Sequence, residues 1–237
     1  RRARPEARIA ITGCGAEVDP GGNWEGDLVT GNAGKRDVAA WLESGTLPAA
    51  DTADDGIFYE RAAGIFPFRS RAFIKIQEGC NNFCSYCIVP YARGRERSRA
   101  WDEVIADCRH AIAAGYPEIV LTGVNVCAYD DHGRTLGDVL DAVCREDGDY
   151  RVRLSSTEPH PSNRALIDAM TRNAARICRF LHLSLQHGSD RILREMNRKY
   201  TTQEYADFVA AARAALPGLH VGSDLIRRFP GQTDPHF

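Results

Sequence analysis

GCNNFCSYCIVPYARGRERSR, residues 79–99, decides how this chain is read. It carries three cysteines, Cys80, Cys84 and Cys87, in the spacing C-x3-C-x2-C. Offsets of four and three residues return to one side of a helical turn, so three sulfurs from one loop can converge on one object. A structural zinc site wants four protein ligands in a closed tetrahedron, and an ordinary iron–sulfur cube takes four cysteines. Three thiolates on a four-iron cube leave one iron open for a substrate or cosubstrate. The alternative is a zinc knuckle with its fourth ligand elsewhere, weakened because no histidine lies close in sequence, the nearest being His110.

Outward from this loop the chain alternates short apolar runs with amphipathic ones, the pattern of βα units around a parallel sheet. Strands are expected at 72–77, 118–122, 151–155, 180–185 and 220–226. Helices are expected at 101–114, 134–144, 162–173, 190–196 and 202–215. Five such repeats imply an α/β partial (β/α) barrel, whose chemistry belongs at the C-terminal ends of the strands. Upstream, residues 1–50 read as a small α/β piece. It has strands at 8–12 and 27–30 and a helix at 35–44 with Val38, Trp41 and Leu42 on one face. Residues 51–70, rich in Gly, Pro, Asp and Ala, read as a linker, and 71–237 as the main domain. GNAGKRD (31–37) has the wrong spacing for a phosphate loop, and TGCGAEVDP (12–20) lacks the third glycine of a dinucleotide fingerprint. Both are read as turns.

With 237 residues, a 43% hydrophobic fraction and a net charge of −2, the composition is that of an ordinary soluble globular chain long enough for one large core or two domains. No apolar run approaches the eighteen residues of a membrane span, and the start lacks the apolar stretch of a secretion signal. Eight irregularly spaced cysteines point to metal binding or catalysis rather than a disulfide framework, with the cytoplasm as the expected compartment. Cys108 and Cys144 are expected as small buried hydrophobes on helix faces, and Cys127 at the active-site rim. Arg93, Arg95, Arg97 and Arg99 alternate against the single Glu96. A solvated loop and a phosphate-contacting edge both fit that pattern.

The loop with Tyr86 before its last cysteine resembles the signature of the radical S-adenosylmethionine (SAM) enzymes. RAFIKIQEGCNNFCSYCIVPYARGRERSR (71–99) resembles their methylthiotransferase branch in particular. LTGVN (121–125), RLSSTEP (153–159), LHLSLQHGSDRILREMNRKYT (181–201) and FPGQT (229–233) match in order along nearly the whole chain. The resemblance implies a radical SAM partial barrel preceded by the remnant of the small methylthiotransferase N-terminal domain. Cys80, Cys84 and Cys87 would hold a 4Fe–4S cluster whose open iron binds SAM. Reductive cleavage of SAM then gives a 5′-deoxyadenosyl radical, the cofactor supplying the chemistry and the protein the position and redox tuning.

By the same resemblance Tyr86 packs near the adenine, and Thr122, Gly123 and Asn125 meet the methionyl amino group. Ser155, Ser156 and Glu158 meet the carboxylate, ribose or sulfonium side, and Gln186 bonds the ribose. Cys14 matches the last of three ligands to a second 4Fe–4S cluster. The other two would lie upstream of Arg1, so the chain is expected to be a fragment that also stops before a complete barrel and before the RNA-binding TRAM domain. The implied partners are a tRNA anticodon stem-loop, to which the arginine run would contribute, and an electron donor such as flavodoxin or ferredoxin; a monomer is expected. The branch acting on N6-threonylcarbamoyladenosine matches best. The alternatives are N6-isopentenyladenosine in tRNA or an aspartate of a ribosomal protein. A rival of another class is a non-catalytic, zinc-stabilised RNA-binding module. The pattern breaks where Arg227, Arg228 and Gln232 replace the family's apolar residue, glycine and glutamate, and where His187 replaces a serine. An arginine in a close-approach glycine position is expected to weaken SAM binding along that edge.

Overall fold

Where apolar side chains recur decides which face of each element is buried in the computed structural model, which describes residues 4, 6–46, 70–160 and 163–233. The described residues form two units. One comprises those up to 46 together with Ile88–Gly94, the other residues 70–87 and those from 95 onward. The expected linker at 51–70 lies, apart from Ser70, outside the described residues.

In the first unit β1 (Ala10–Thr12) runs parallel to β2 (Leu28–Thr30), with Ala10 opposite Leu28 and Thr12 opposite Thr30. Gly13, at φ 115, makes the sharp turn into α1 (Cys14–Val18). The single helix expected at 35–44 divides into a 3-10 stretch at Ala33–Asp37 and α2 (Val38–Ser44), which Gly45 ends in the left-handed region. Trp41 is buried, but Leu42, expected on the same face, is 43% exposed. One residue advances a helix by about 100°, and α2 is too short for a wide apolar stripe. The unit also contains α3 (Val89–Ala92), where the Ala92 carbonyl accepts from the Asn32 side-chain amide at 2.6 Å.

The second unit is built outward from β3 (Arg71–Glu78). The two-residue β4 (Arg97–Ser98) pairs antiparallel to its end, and after α4 (Trp101–Ala113) the strand β5 (Glu118–Gly123) pairs parallel to its other side. A small hairpin, β6 (Asp130–Asp131) and β7 (Arg134–Thr135), then leads into α5 (Leu136–Val143). That helix starts two residues later than expected because Thr135 and Asp138 form a reciprocal capping box that fixes its first turn. β8 (Arg151–Leu154) pairs parallel to β5, followed by α6 (Arg164–Arg172), β9 (Phe180–His182), α7 (Asp190–Glu195), α8 (Thr202–Ala215) and β10 (His220–Gly222). β9 and β10 pair parallel. The step from β8 to β9 is carried by backbone bonds at both ends, Cys178 N–H to the Val152 carbonyl (2.8 Å) and Thr157 N–H to the His182 carbonyl (2.8 Å). The result is the expected partial barrel, curled and parallel apart from β4.

Period-two alternation turns Ala72, Ile74, Ile76, Ile119, Leu121, Val152, Leu154 and Leu181 toward the helices, where they meet Val104, Cys108, Val139, Leu140, Ile167 and Met170. Each of the larger buried aliphatic side chains contributes about 1.5–3 kcal/mol by leaving water. The alternate residues Lys75, Gln77, Thr122, Arg153 and His182 face the barrel interior, where polar groups can serve a ligand.

Candidate metal centre

Gly79, at φ 71, takes the chain out of β3 into the cysteine loop. Buried Gln77 braces that exit: its amide nitrogen donates to the carbonyls of Glu78 (2.9 Å) and Gly79 (2.8 Å), and its amide oxygen accepts from the Asn125 backbone N–H (2.7 Å). Phe83 sits at φ 47, a conformation a non-glycine residue keeps only where neighbours impose it. The neighbours come from the segment after α7. Asn197 donates to the carbonyls of Asn82 and Phe83, both at 3.0 Å. Ser85 bonds the Met196 and Glu195 carbonyls through its N–H (3.1 Å) and hydroxyl (3.0 Å).

On this braced loop Cys80, Cys84 and Cys87 are all free thiols, Cys84 buried and the other two half-buried. Cys80 Sγ accepts from the Asn82 N–H at 3.4 Å, and Cys84 Sγ from Arg198 Nη1 at 3.2 Å. Burial pushes the Cys80 thiol up, with the charges of Glu96, Cys84 and Glu158 adding to it and the Asn82 N–H opposing. A cation bound by the thiolates would relieve that repulsion. Glu158 spans two neighbours: Oε2 accepts from the Asn82 side chain (2.8 Å), and Oε1 pairs with Arg198 Nη2 (2.9 Å).

Three free thiols on one loop are the donor chemistry that a four-iron cube with one open iron would take. Among the described residues no three His, Cys, Asp or Glu side chains converge on a single ion. A cube spreads its thiolates over separate irons. At the C-terminal end of β8 the Ser155 hydroxyl is buried with no partner, as a hydroxyl reserved for a bound molecule would be.

A family model described as the radical SAM superfamily matches residues 74–237. The chain belongs to the radical SAM superfamily. Among curated proteins it is 36% identical over 243 residues to a threonylcarbamoyladenosine tRNA methylthiotransferase, MtaB, of Thermotoga maritima, covering all of this chain and 56% of that one. It is 43% identical over 172 residues to a tRNA-2-methylthio-N(6)-dimethylallyladenosine synthase of Syntrophomonas wolfei, covering 70% of this chain and 38% of the relative. The chain thus spans about half the length of the first curated relatives it matches. Of solved structures, the radical S-adenosylmethionine methyltransferase TsrM of Kitasatospora setae superposes with a TM-score of 0.58 at 18% identity, over 70% of this chain and 32% of that one. That likeness concerns the fold.

Within the radical SAM fold the remaining candidate residues divide. Tyr86 is 38% exposed, and burial of its phenol, together with the nearby Cys84, pushes the phenol pKa up. Thr122 is half-buried at the end of β5. The close approach that Gly123 permits is to β3: a Cβ there would lie 2.8 Å from the Gln77 carbonyl oxygen. Asn125 spends its backbone N–H on Gln77, and its amide lies 3.4 Å from Glu96. Gln186 adopts φ 68 and bonds through its backbone to Asp224 and Ile226. Glu158 Oε2 accepts from Asn82, while Oε1 lies 2.9 Å from Arg198 Nη2 as an ion pair without a hydrogen bond.

The arginine run does not form one edge. Arg99 is 3% exposed and its guanidinium pairs with Asp107 (2.8 Å) and Glu103 (3.2 Å), so it is structural rather than a phosphate contact. Arg95 stacks on the Phe83 ring at 4.5 Å, and Arg97 lies in β4. Arg93 Nε donates to Cys14 Sγ at 3.3 Å within the first unit. Burial pushes Cys108 up to about 12 and Cys127 and Cys144 to about 11, which disfavours their thiolates. Arg228 takes φ 61, the left-handed conformation expected of the glycine it replaces. Gln232 Oε1 accepts from the Arg228 and Phe229 N–H groups (2.7 and 3.2 Å), a role that needs only an acceptor. His187 is buried, and its Nδ1 accepts from the Ser189 N–H (3.0 Å) at the start of α7. Sequence reasoning assigned no role to Arg198, although RKYT lay inside a matched motif. A lone arginine beside Lys199 carries no signal of burial until the fold is known.

Proposed function

We propose that the protein is a tRNA methylthiotransferase that adds a methylthio group to N6-threonylcarbamoyladenosine next to the anticodon. The observation that carries this reading is the braced loop of three free thiols at the C-terminal end of β3. The two kinds of tRNA-modifying relative supply the substrate class. A 4Fe–4S cluster held by Cys80, Cys84 and Cys87 would, when bound, supply the one-electron chemistry that cleaves SAM. Asn82, Asn197 and Arg198 keep the loop in register with the strand ends. Thr122, the Ser155 hydroxyl and Gln186 stand at neighbouring strand termini, where they would orient the cosubstrate.

Cys14 would ligate the second cluster in the whole protein, beside Arg93. A low-potential flavodoxin or ferredoxin would deliver electrons. No helix among the described residues is long and apolar enough to cross a membrane; a cytoplasmic monomer acting on tRNA is part of this proposal. The second reading is N6-isopentenyladenosine, that is N6-dimethylallyladenosine, favoured by the 43% identical relative.

Tandem mass spectrometry of tRNA nucleosides from a deletion strain tests the assignment. Loss of 2-methylthio-N6-threonylcarbamoyladenosine, restored by the wild-type gene but not by Cys84→Ala, is the expected result. Loss of the methylthiolated dimethylallyl nucleoside instead would move the reading to the second substrate, and an unchanged profile of both would refute it.

A further inference from the structure

Arg198 reaches several partners from a buried position, its side chain only 7% exposed. Nη1 donates to Cys84 Sγ at 3.2 Å and Nη2 pairs with Glu158 Oε1 at 2.9 Å, while Nε donates to the Tyr200 hydroxyl at 3.0 Å. Tyr200 is itself buried, and its hydroxyl bonds the carbonyls of Ser184 and Leu185 in the segment after β9. Glu158 continues the chain of contacts to Asn82, inside the cysteine loop. One guanidinium therefore joins the loop after β3 to the ends of the third and fourth barrel strands. A charge this deep is costly unless its donors are spent on good partners. Here one partner is the sulfur of the central cysteine.

We propose that Arg198 is a positioning residue for the metal centre, fixing Cys84 and Glu158 in one fork and raising the reduction potential of the cluster bound by Cys80, Cys84 and Cys87. The inference rests on the cluster reading of those cysteines and goes beyond it in naming what sets the potential. Reduction takes one electron from an external low-potential donor onto the cube, with no bond made or broken. The cube and its three thiolates thereby become more negative by one charge. A cation hydrogen-bonded to a ligand sulfur in a low-dielectric site favours that reduced state. Glu158 acts in the opposite sense, since its carboxylate offsets part of the Arg198 charge. Lysine would keep the charge but lacks the fork that meets both partners at once.

The test is an EPR-monitored redox titration of the whole cluster-loaded protein without SAM, comparing wild type with Arg198→Met, Arg198→Lys and Glu158→Gln at equal iron content, all carrying Cys14→Ala so that the second cluster of the proposed function does not contribute. Arg198→Met is expected to disfavour reduction at least tenfold, a midpoint about 59 mV more negative for a one-electron couple. Arg198→Lys is expected between that variant and wild type, and Glu158→Gln to shift the midpoint in the positive direction. Opposite signs cannot come from general loosening of the loop. An Arg198→Met midpoint within tenfold of wild type overturns the proposal. If that variant fails to assemble a cluster, an unchanged or more negative Glu158→Gln midpoint overturns it instead. A wild-type protein that shows no reducible cluster sinks the underlying reading, a failure distinguishable from the other two.

Discussion

Gly123→Ala separates a packing role from a cosubstrate role at the end of β5. The added Cβ would lie 2.8 Å from the Gln77 carbonyl oxygen, 3.0 Å from Gln77 Cβ and 3.1 Å from Gln77 Oε1. The first two contacts are to groups fixed in β3, where the register with β5 is already irregular between Lys75 and Gln77, so β3 and β5 must part. Overpacking of this kind costs about 1–3 kcal/mol. Shifting Gln77 also weakens its 2.7 Å bond from the Asn125 N–H, worth about 1 kcal/mol. Stiffening the unfolded chain returns about 0.4–1 kcal/mol. The net loss is about 2 kcal/mol, which at a urea slope of roughly 2 kcal/mol/M lowers the midpoint by about 1 M. Far-ultraviolet circular dichroism on protein stripped of iron and SAM measures it. A midpoint within about 0.2 M of wild type, with SAM binding nonetheless lost, would show that the glycine serves the ligand and refute the packing argument.

Arg99→Met strands Asp107 and Glu103 and is expected to lower stability by about 2 kcal/mol, discounted from a fully buried pair because Glu103 is half-exposed. The salt dependence of RNA binding should not change, whereas Arg95→Gln should reduce its slope by about one if Arg95 meets a phosphate. Equal effects of the two substitutions on that slope would contradict the structural role of Arg99. Arg228→Gly relieves a left-handed arginine and is expected to raise Tm by roughly 1–3 °C, the relief being partly offset by the freer unfolded chain. It is also expected to tighten SAM binding, and unchanged affinity by calorimetry would remove Arg228 as an impediment.

The βα rhythm and the clustering of three thiols on one loop were legible because both are local properties of the chain. Apolar spacing sets which face of a strand or helix leaves water, and C-x3-C-x2-C places three sulfurs within one loop whatever the loop packs against. The capping pair Thr135 and Asp138 was equally local, yet it was overlooked, and the helix start was misplaced by two residues for that reason.

Charge and close approach were different, since they depend on residues far apart in sequence. The arginine run looked uniform. Packing buried Arg99 against α4, stacked Arg95 on Phe83 and set Arg93 beside Cys14. Gly123 reads as a place of close approach, and the fold puts β3 against it. Arg198 gained its role only because α7 ends where the cysteine loop turns, bringing a guanidinium 114 residues downstream onto Cys84. The amino-acid order determined which groups could bind iron. The folded chain alone decided which cation stands beside their sulfur, because burial and partner geometry exist only once distant segments pack together.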